Sequence, residues 1–375
     1  MASNYRKLGD VIKLVDERNV GGNVTNLLGV SIDKRFIPSV ANVIGTDLTK
    51  YKVVRKNRFA CSLMQVSRDH KMPISRYSKN ELSIISPAYV TFELAGNDVL
   101  PEYLELWTQR TEFDREADFY AVGGVRGNMT WDELCGMSLV VPPIEQQRKI
   151  IARHNAIDAR IEALGQLNDK LAASAKRILE EGVTHAVALT PVKLKNVVTM
   201  QYGYTQSATE QAVGPKFLRI TDITSEYLNW NAVPYCQINQ SDQEKYELNA
   251  GDIVVARTGV TSGKARYFAY KPKDAVFASF LVRLTADDPA ARTFLGLTVC
   301  SDDFFRFIQA NASAGSQQLQ ANPPLLGQYE FDFPDAETLK WIDKNASPFL
   351  QAIEENEAEI SLLDLFKREQ LSTIF

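Results

Sequence analysis

The sequence predicts an α/β (α+β) chain of two domains related by internal duplication, each followed by a long coiled-coil helix. Three observations predict it. Weak matches recur in order between each residue and one about 190 positions later, two helical stretches carry an apolar seam, and charge is gathered in blocks. At 375 residues, 45% of them apolar, the chain is long enough for more than one core.

The repeat comes first because it sets the plan. Leu8-Gly-Asp-Val11 faces Leu194-Lys-Asn-Val197, and Leu27–Ile32 faces Leu218–Ile223. Tyr89–Leu94 faces Ser279–Leu284, Phe113 faces Phe304, and Pro142 faces Pro334. Each half opens with a β-rich stretch broken by turn residues (1–95, 190–285). A helical stretch follows, around Pro101–Phe119 or Arg292–Ala310, then a Gly-containing polar loop, a short strand and a long helix. The division is a first domain (1–142), a first spacer helix (143–185), a second domain (186–334) and a second spacer helix (335–375).

The first long helix has Ile150, Ile157, Leu164, Leu171 and Ile178 at intervals of seven, with Ile161 and Ala175 between them. His154 and Asn168 interrupt this seam. The second helix carries Leu339, Ile342, Ala346, Phe349, Ile353, Asn356, Ile360 and Leu363, and Pro348 predicts a kink. A two-per-heptad stripe is a coiled-coil seam rather than a face for a globular core, so each helix is the other's natural partner. Asn168 and Asn356 either set the register between them or face water.

Several function classes lose support. No apolar run reaches the ~18 residues of a membrane span, and Met1–Asp10 has no apolar signal core, so the expectation is a cytoplasmic protein without a membrane partner. Cys61, Cys135, Cys236 and Cys300 are dispersed, as are His70, His154 and His185, so neither a disulfide framework nor a metal site is expected. Gly251–Gly263 (GDIVVARTGVTSG) with Lys264 is no P-loop: three residues separate Gly259 from Gly263, and Ala265 stands where a Mg²⁺-binding hydroxyl belongs. Asn322-Pro-Pro-Leu325 is similar to the N-P-P-aromatic element of amino-methyltransferases, but Leu325 replaces the aromatic and no Gly-rich cofactor turn accompanies it. The chain itself is expected to be non-catalytic, with no cofactor of its own.

The net charge of −4 argues against a nucleic-acid partner until it is resolved along the chain. Residues 1–90 carry +8, 91–142 carry −7 and 326–375 carry −7. Residues 50–79 hold nine basic side chains against Asp69 alone, and 252–283 hold six against two. Arg and Lys read guanine, Asn and Gln read adenine, and hydroxyls bind phosphate. In the first half such side chains are Arg55, Lys56, Arg58, Gln65, Arg68, Lys71, Arg76, Tyr77, Arg126 and Asn128. In the second they are Tyr204, Thr205, Gln206, Arg219, Thr221, Arg257, Thr258, Thr261, Ser262, Lys264, Arg266, Gln317 and Gln318. Each cluster alone is a polar loop; their recurrence in both halves points to double-stranded DNA read in two parts.

With these residues in view, the chain resembles the specificity subunit of type I restriction–modification systems over nearly its whole length. GDIVVARTGVTSGKARY with Phe277–Leu284, VPPIEQQRKI (Val141–Ile150), FIPSVANVIGTDLTKYKVV, IISPAYVTFEL and LPEYLELWTQRTEFDR carry the resemblance. It implies two target-recognition domains separated by two long antiparallel coiled-coil helices, each domain reading one half of a split DNA site and the helices acting as the ruler between them. It also implies two docked modification subunits that hold S-adenosylmethionine and methylate adenine. Two restriction subunits using ATP and Mg would complete the nuclease. A stand-alone DNA-binding or decoy protein of the same fold is the alternative. The first half lacks a clean counterpart of the G-D…R-T-G loop, with Asn57-Arg58 in its place. The acidic blocks 91–142 and 326–375 are expected to be surfaces kept off the DNA.

Overall fold

Short runs of β-branched and aromatic residues between turns form the strands, and each half opens on a strand that pairs with one much later in its own half. The structure, a computed structural model, describes residues 5–39, 45–64, 66–122, 127–311 and 320–374. The chain divides into two units, Met1–Asp158 with Phe366–Phe375, and Ala159–Leu365.

In the first unit β1 (Tyr5–Lys7) pairs antiparallel with β10 (Ser138–Val140). The antiparallel sheet β2-β9-β6-β7 is built from Ile12–Leu14, Val90–Leu94, Phe59–Cys61 and Ile74–Arg76. The second sheet, β4-β3-β8-β5, is built from Phe36–Pro38, Leu27–Val30, Ser83–Ile85 and Lys52–Val54, with β3 and β8 parallel. Helices α1 (Val66–Asp69), α2 (Pro101–Thr108), α3 (Thr111–Val122) and α4 (Trp131–Gly136) complete the unit, and α5 (Ile144–His185) begins in it. Phe59 and Phe92 stack at 5.1 Å in a core shared with Tyr103, Trp107 and Phe113.

The second unit repeats the plan. β11 (Leu189–Lys193) pairs with β18 (Glu330–Pro334), and the antiparallel sheet β12-β17-β14-β15 uses Val198–Tyr202, Leu281–Ala286, Ile253–Ala256 and Ala265–Tyr267. β13 (Lys216–Leu218) lies parallel to β16 (Ala275–Phe277), as β3 does to β8. Helices α6 (Ile220–Ile223), α7 (Gln240–Tyr246), α8 (Arg292–Val299), α9 (Asp302–Asn311) and α10 (Pro323–Leu326) precede α11 (Ala336–Ile374). The chain is therefore a mixed helix-and-strand fold whose four-stranded antiparallel sheet and parallel strand pair recur in both units, while β4 and β5 belong to the first alone among the described residues.

Hydrogen bonds align the two copies more sharply than side chains do. Leu8 N–H donates to Met137 (2.8 Å) as Leu194 N–H does to Tyr329 (2.9 Å). Strand pairing sets Leu94 opposite Ile12 and Ala286 opposite Val198, so Leu94 corresponds to Ala286 rather than to Leu284 as the sequence match has it. A two-residue slip keeps the same side chains facing inwards, so apolar patterning cannot detect it.

Asn57-Arg58 takes the place of Gly251-Asp252 in the first half, with the same tight turn. Asn57 N–H donates to Tyr77 as Gly251 N–H does to Phe268, at 2.8 and 2.7 Å, and both turn residues have positive φ, 69° and 89°. Asn is the side chain that best tolerates the left-handed region where Gly is the default. The next residue is Arg58 in one copy and Asp252 in the other. Arg58 is bonded to Glu93 of β9 (2.7 Å) and Asp252 to Thr285 of β17 (2.8 Å), so the polar contact survives with its chemistry changed.

Among the seam residues, Ile161, Leu164, Leu171 and Ile178 in α5 and Ile342, Phe349, Ile353, Ile360 and Leu363 in α11 are buried or half-buried in the second unit. Ile150 and Ile157 are so in the first. Within the second unit the two helices run antiparallel: Arg160 bonds Glu359 at 2.7 Å, Asn356 bonds Asn168 at 2.7 Å, and Gly182 lies against Ile342. The two Asn side chains thus satisfy each other at the seam instead of facing water, which disfavours a slipped register. Pro348 lies inside α11 without ending it. Within the first unit Lys367 pairs with Asp158.

Candidate nucleic-acid interface

In the second unit the antiparallel strand order sets the end of β12, the starts of β15 and β17, and the end of β14 at one end of the sheet. That end presents Tyr202, Arg257, Lys264 and Phe280. The Arg257 guanidinium stands 4.9 Å from the Tyr202 ring, and the Lys264 ammonium stands 4.5 Å from the Phe305 ring. Each such contact is worth roughly 0.5–1 kcal/mol at an exposed site and leaves the cation's charge unneutralised. Val260 at the loop tip is 85% exposed and Phe280 59%. Thr205 and Gln206 are exposed at the same end, just beyond β12, and Tyr204 is half-buried against Tyr246. Cations, hydroxyls, amides and exposed rings together make a surface suited to phosphates and base edges.

The β14–β15 loop is held from inside. Ser262 is fully buried; its hydroxyl donates to Arg257 O (2.9 Å) and accepts from Ala321 N (3.0 Å). Gly263 has φ 90°, and a Cβ there would meet Ile308 at 2.8 Å, so the loop packs on α9 only through a glycine. Thr258 bridges to Gln320, and Thr261 accepts from Lys264 N at 2.9 Å. Ser262 therefore shapes the loop rather than contacting a ligand.

Two other cations of this unit have protein partners. Arg266 faces α11, where it forms a buried ion pair with Glu357. Arg219 donates to Asp222 at 2.9 Å, and that hydrogen bond raises the guanidinium pKa further. Thr221 is exposed on α6.

The first-unit candidates separate into two groups at opposite ends of the sheet β2-β9-β6-β7. Arg55, Lys56, Arg58, Arg76 and Tyr77 lie at the start of β6 and the end of β7. Burial withdraws most of them. Arg58 is 3% exposed and bonded to Glu17, Glu93 and the carbonyl of Val53. Arg76 is held by Glu102 (3.1 Å) and Glu105 (2.8 Å), and Tyr77 is buried with its hydroxyl on Ser83 (2.7 Å). Arg55 pairs with Glu17, and Lys56 donates to Asn80.

The other group belongs to the β6–β7 loop, which stands at the same topological place as the β14–β15 loop. Met129 N–H donates to Leu63 (2.9 Å) as Ala321 N–H does to Arg257 (2.8 Å), so Leu63 occupies the position of Arg257. Arg68 and Lys71 are exposed on this loop, Arg68 bonded to Asp69, and Asn128 is half-buried beside it. Gln65, Arg126, Gln317 and Gln318 lie outside the described residues.

The basic excess of 1–90 is largely neutralised within the unit. Asp98 pairs with Arg6, Asp114 with Lys34, Glu93 with Arg58, and Glu102 with Arg76. Much of the acidic block 91–142 is thus internal counter-charge for the basic block, not a separate solvent face. Charge counting along the chain missed this because the partners lie 26–92 residues apart. It also passed over Tyr202 and Phe280, whose signal was an aromatic at the edge of a strand beside a basic loop. Asn322 caps α10 through Leu325 N (3.0 Å), where the first unit has Thr130 capping α4, so the N-P-P element is a helix start. No group of metal-ligating side chains occurs among the described residues, and no helix there is long and apolar enough to cross a membrane.

Over 99% of its length the chain matches the crystal structure of the type I restriction–modification S subunit from M. genitalium, covering 95% of that chain at a TM-score of 0.55 and 13% identity. The chain has the S-subunit fold. An HsdS subunit from Thermoanaerobacter tengcongensis also matches, at 15% identity and a TM-score of 0.39, over 98% of this chain and 95% of that one. No family model and no curated protein matches in sequence. The likeness is one of fold and not of sequence.

Proposed function

We propose that the chain is the DNA sequence-specificity subunit of a type I restriction–modification complex. It would read a bipartite double-stranded DNA site, one half with each unit, and dock two adenine-methylating modification subunits. One observation carries this: two units with the same strand order in their antiparallel sheet each present cations on a loop at the same end of that sheet, exposed Arg68 and Lys71 in the first and exposed Lys264 with half-buried Arg257 in the second. In the second unit Arg257 and Lys264 supply phosphate or guanine contacts, Thr205 and Thr261 supply hydroxyls, and Gln206 supplies an adenine-reading amide. In the first, Arg68 and Lys71 supply the charge.

The chain has no catalytic role in this proposal. S-adenosylmethionine belongs on the modification subunits, and ATP and Mg on two restriction subunits. The paired helices α5 and α11 set the distance between the half-sites. Mapping methylated adenines in a host that carries the chain with its modification partner tests the proposal. A split motif methylated only when the chain is present supports it. Sequence-selective DNA binding without any co-purifying modification subunit would instead favour the stand-alone reading.

A further inference from the structure

His70 lies in the β6–β7 loop of the first unit and has φ 51°, a left-handed conformation in which a glycine or asparagine is the low-strain choice. Its imidazole is 76% exposed, yet it is not loose. Nδ1 is 2.9 Å from Oδ2 of Asp118, on α3. One helical turn earlier on α3, Asp114 accepts from Met72 N at 3.1 Å, so two carboxylates four residues apart fasten this loop to a helix whose other face packs in the core through Phe113, Ala117 and Ala121. An ionised carboxylate only accepts, so Nδ1 carries the proton, and in the neutral tautomer this leaves Nε2 as the acceptor. Nε2 has no hydrogen-bond partner among the described residues.

A ring fixed on one edge, exposed on the other and carried at a strained loop position is arranged for reading rather than for packing. We propose that His70 reads a base in the half-site bound by the first unit, with Asp118 as its positioning residue. Nε2 would accept a hydrogen bond from the exocyclic amino group of an adenine or a cytosine in the major groove. This rests on the DNA-reading function proposed above and adds a residue to it, in the unit whose counterpart of Arg257 is Leu63.

The test is selection of duplexes from a randomised pool by the full chain in complex with its modification partner. The wild type should enrich a split motif. His70→Ala should reduce discrimination at one A·T or C·G pair of one half-site about tenfold, leaving the other half-site as an internal control of folding. Asp118→Ala should weaken the same base pair, and Asp118→Asn, whose amide oxygen still accepts from Nδ1, should restore it. An unchanged motif with His70→Ala overturns the inference while the DNA-reading function stands. So does uniform weakening across all sequences with a reduced salt slope, which would make His70 a phosphate contact. Enrichment of no motif by the wild type overturns both.

Discussion

Replacing Glu357 by Ala tests whether Arg266 serves the fold or the DNA. The guanidinium and the carboxylate face each other with side chains 16% and 9% exposed, joining β15 to α11 within the second unit. At an effective dielectric of about 20, unit charges about 4 Å apart attract by about 4 kcal/mol. Dehydrating both groups costs a similar amount, and Arg266 Nε adds to that cost because it is buried without a hydrogen-bond partner. The pair is therefore worth little over an apolar substitute but much over a half-removed one. Glu357→Ala should destabilise by about 3–5 kcal/mol, whereas Arg266→Met with Glu357→Leu should come within about 1 kcal/mol of the wild type. With a urea slope of about 2 kcal/mol per M, the single variant should unfold about 2 M earlier. Urea titration followed by tryptophan fluorescence reads this, since Trp230 lies beside Phe268 in the same unit. Equal losses in the single and double variants would refute the reasoning, and so would DNA binding lost in the double variant alone.

Four further outcomes follow from the same structure. Burial raises the Glu354 carboxyl to about 7, so its contribution to stability is complete below its ordinary pKa and disappears as the pH rises through about 7. The loss is about 3 kcal/mol, and Glu354→Gln should flatten the difference in melting temperature between pH 5 and pH 8. Arg257→Ala and Lys264→Ala should each weaken DNA binding, lower the slope of log affinity against log salt by about one, and release the second unit's half-site first in footprints. Inserting four residues within Arg160–Lys170 should change half-site spacing or phasing in the methylome while leaving each half-site sequence intact. Asn322→Ala should cost about 1 kcal/mol of thermal stability through the lost cap, and methylation by the complex should persist.

The parts of this protein legible in its sequence are those governed by periodicity. Spacing alone named buried positions of α5 and α11, but Ile150 packs on the first unit's core and Ile178, Ile342 and Phe349 join the second's, so the stripe serves globular cores as well as the helix pair. The duplication was legible because apolar strand and helix positions repeat in order, although period-two strands hid a two-residue offset at Leu94. That Asn57 fills the turn held by Gly251 was not legible, because the backbone conformation is shared and the side chain is not.

Tertiary structure decided which polar residues remain available. Arg58, Arg76 and Arg266 look in sequence like Arg257 and Lys264, yet the first three meet carboxylates far along the chain, and among the described residues the side-chain cations of the last two meet rings. His70 gained significance only when α3 placed Asp118 against its Nδ1. Pattern repeats along the chain, so it survives in one dimension. Charge acts through distance, and a cation's partner is set by folding, so the sequence by itself determined the architecture and the fold selected the site.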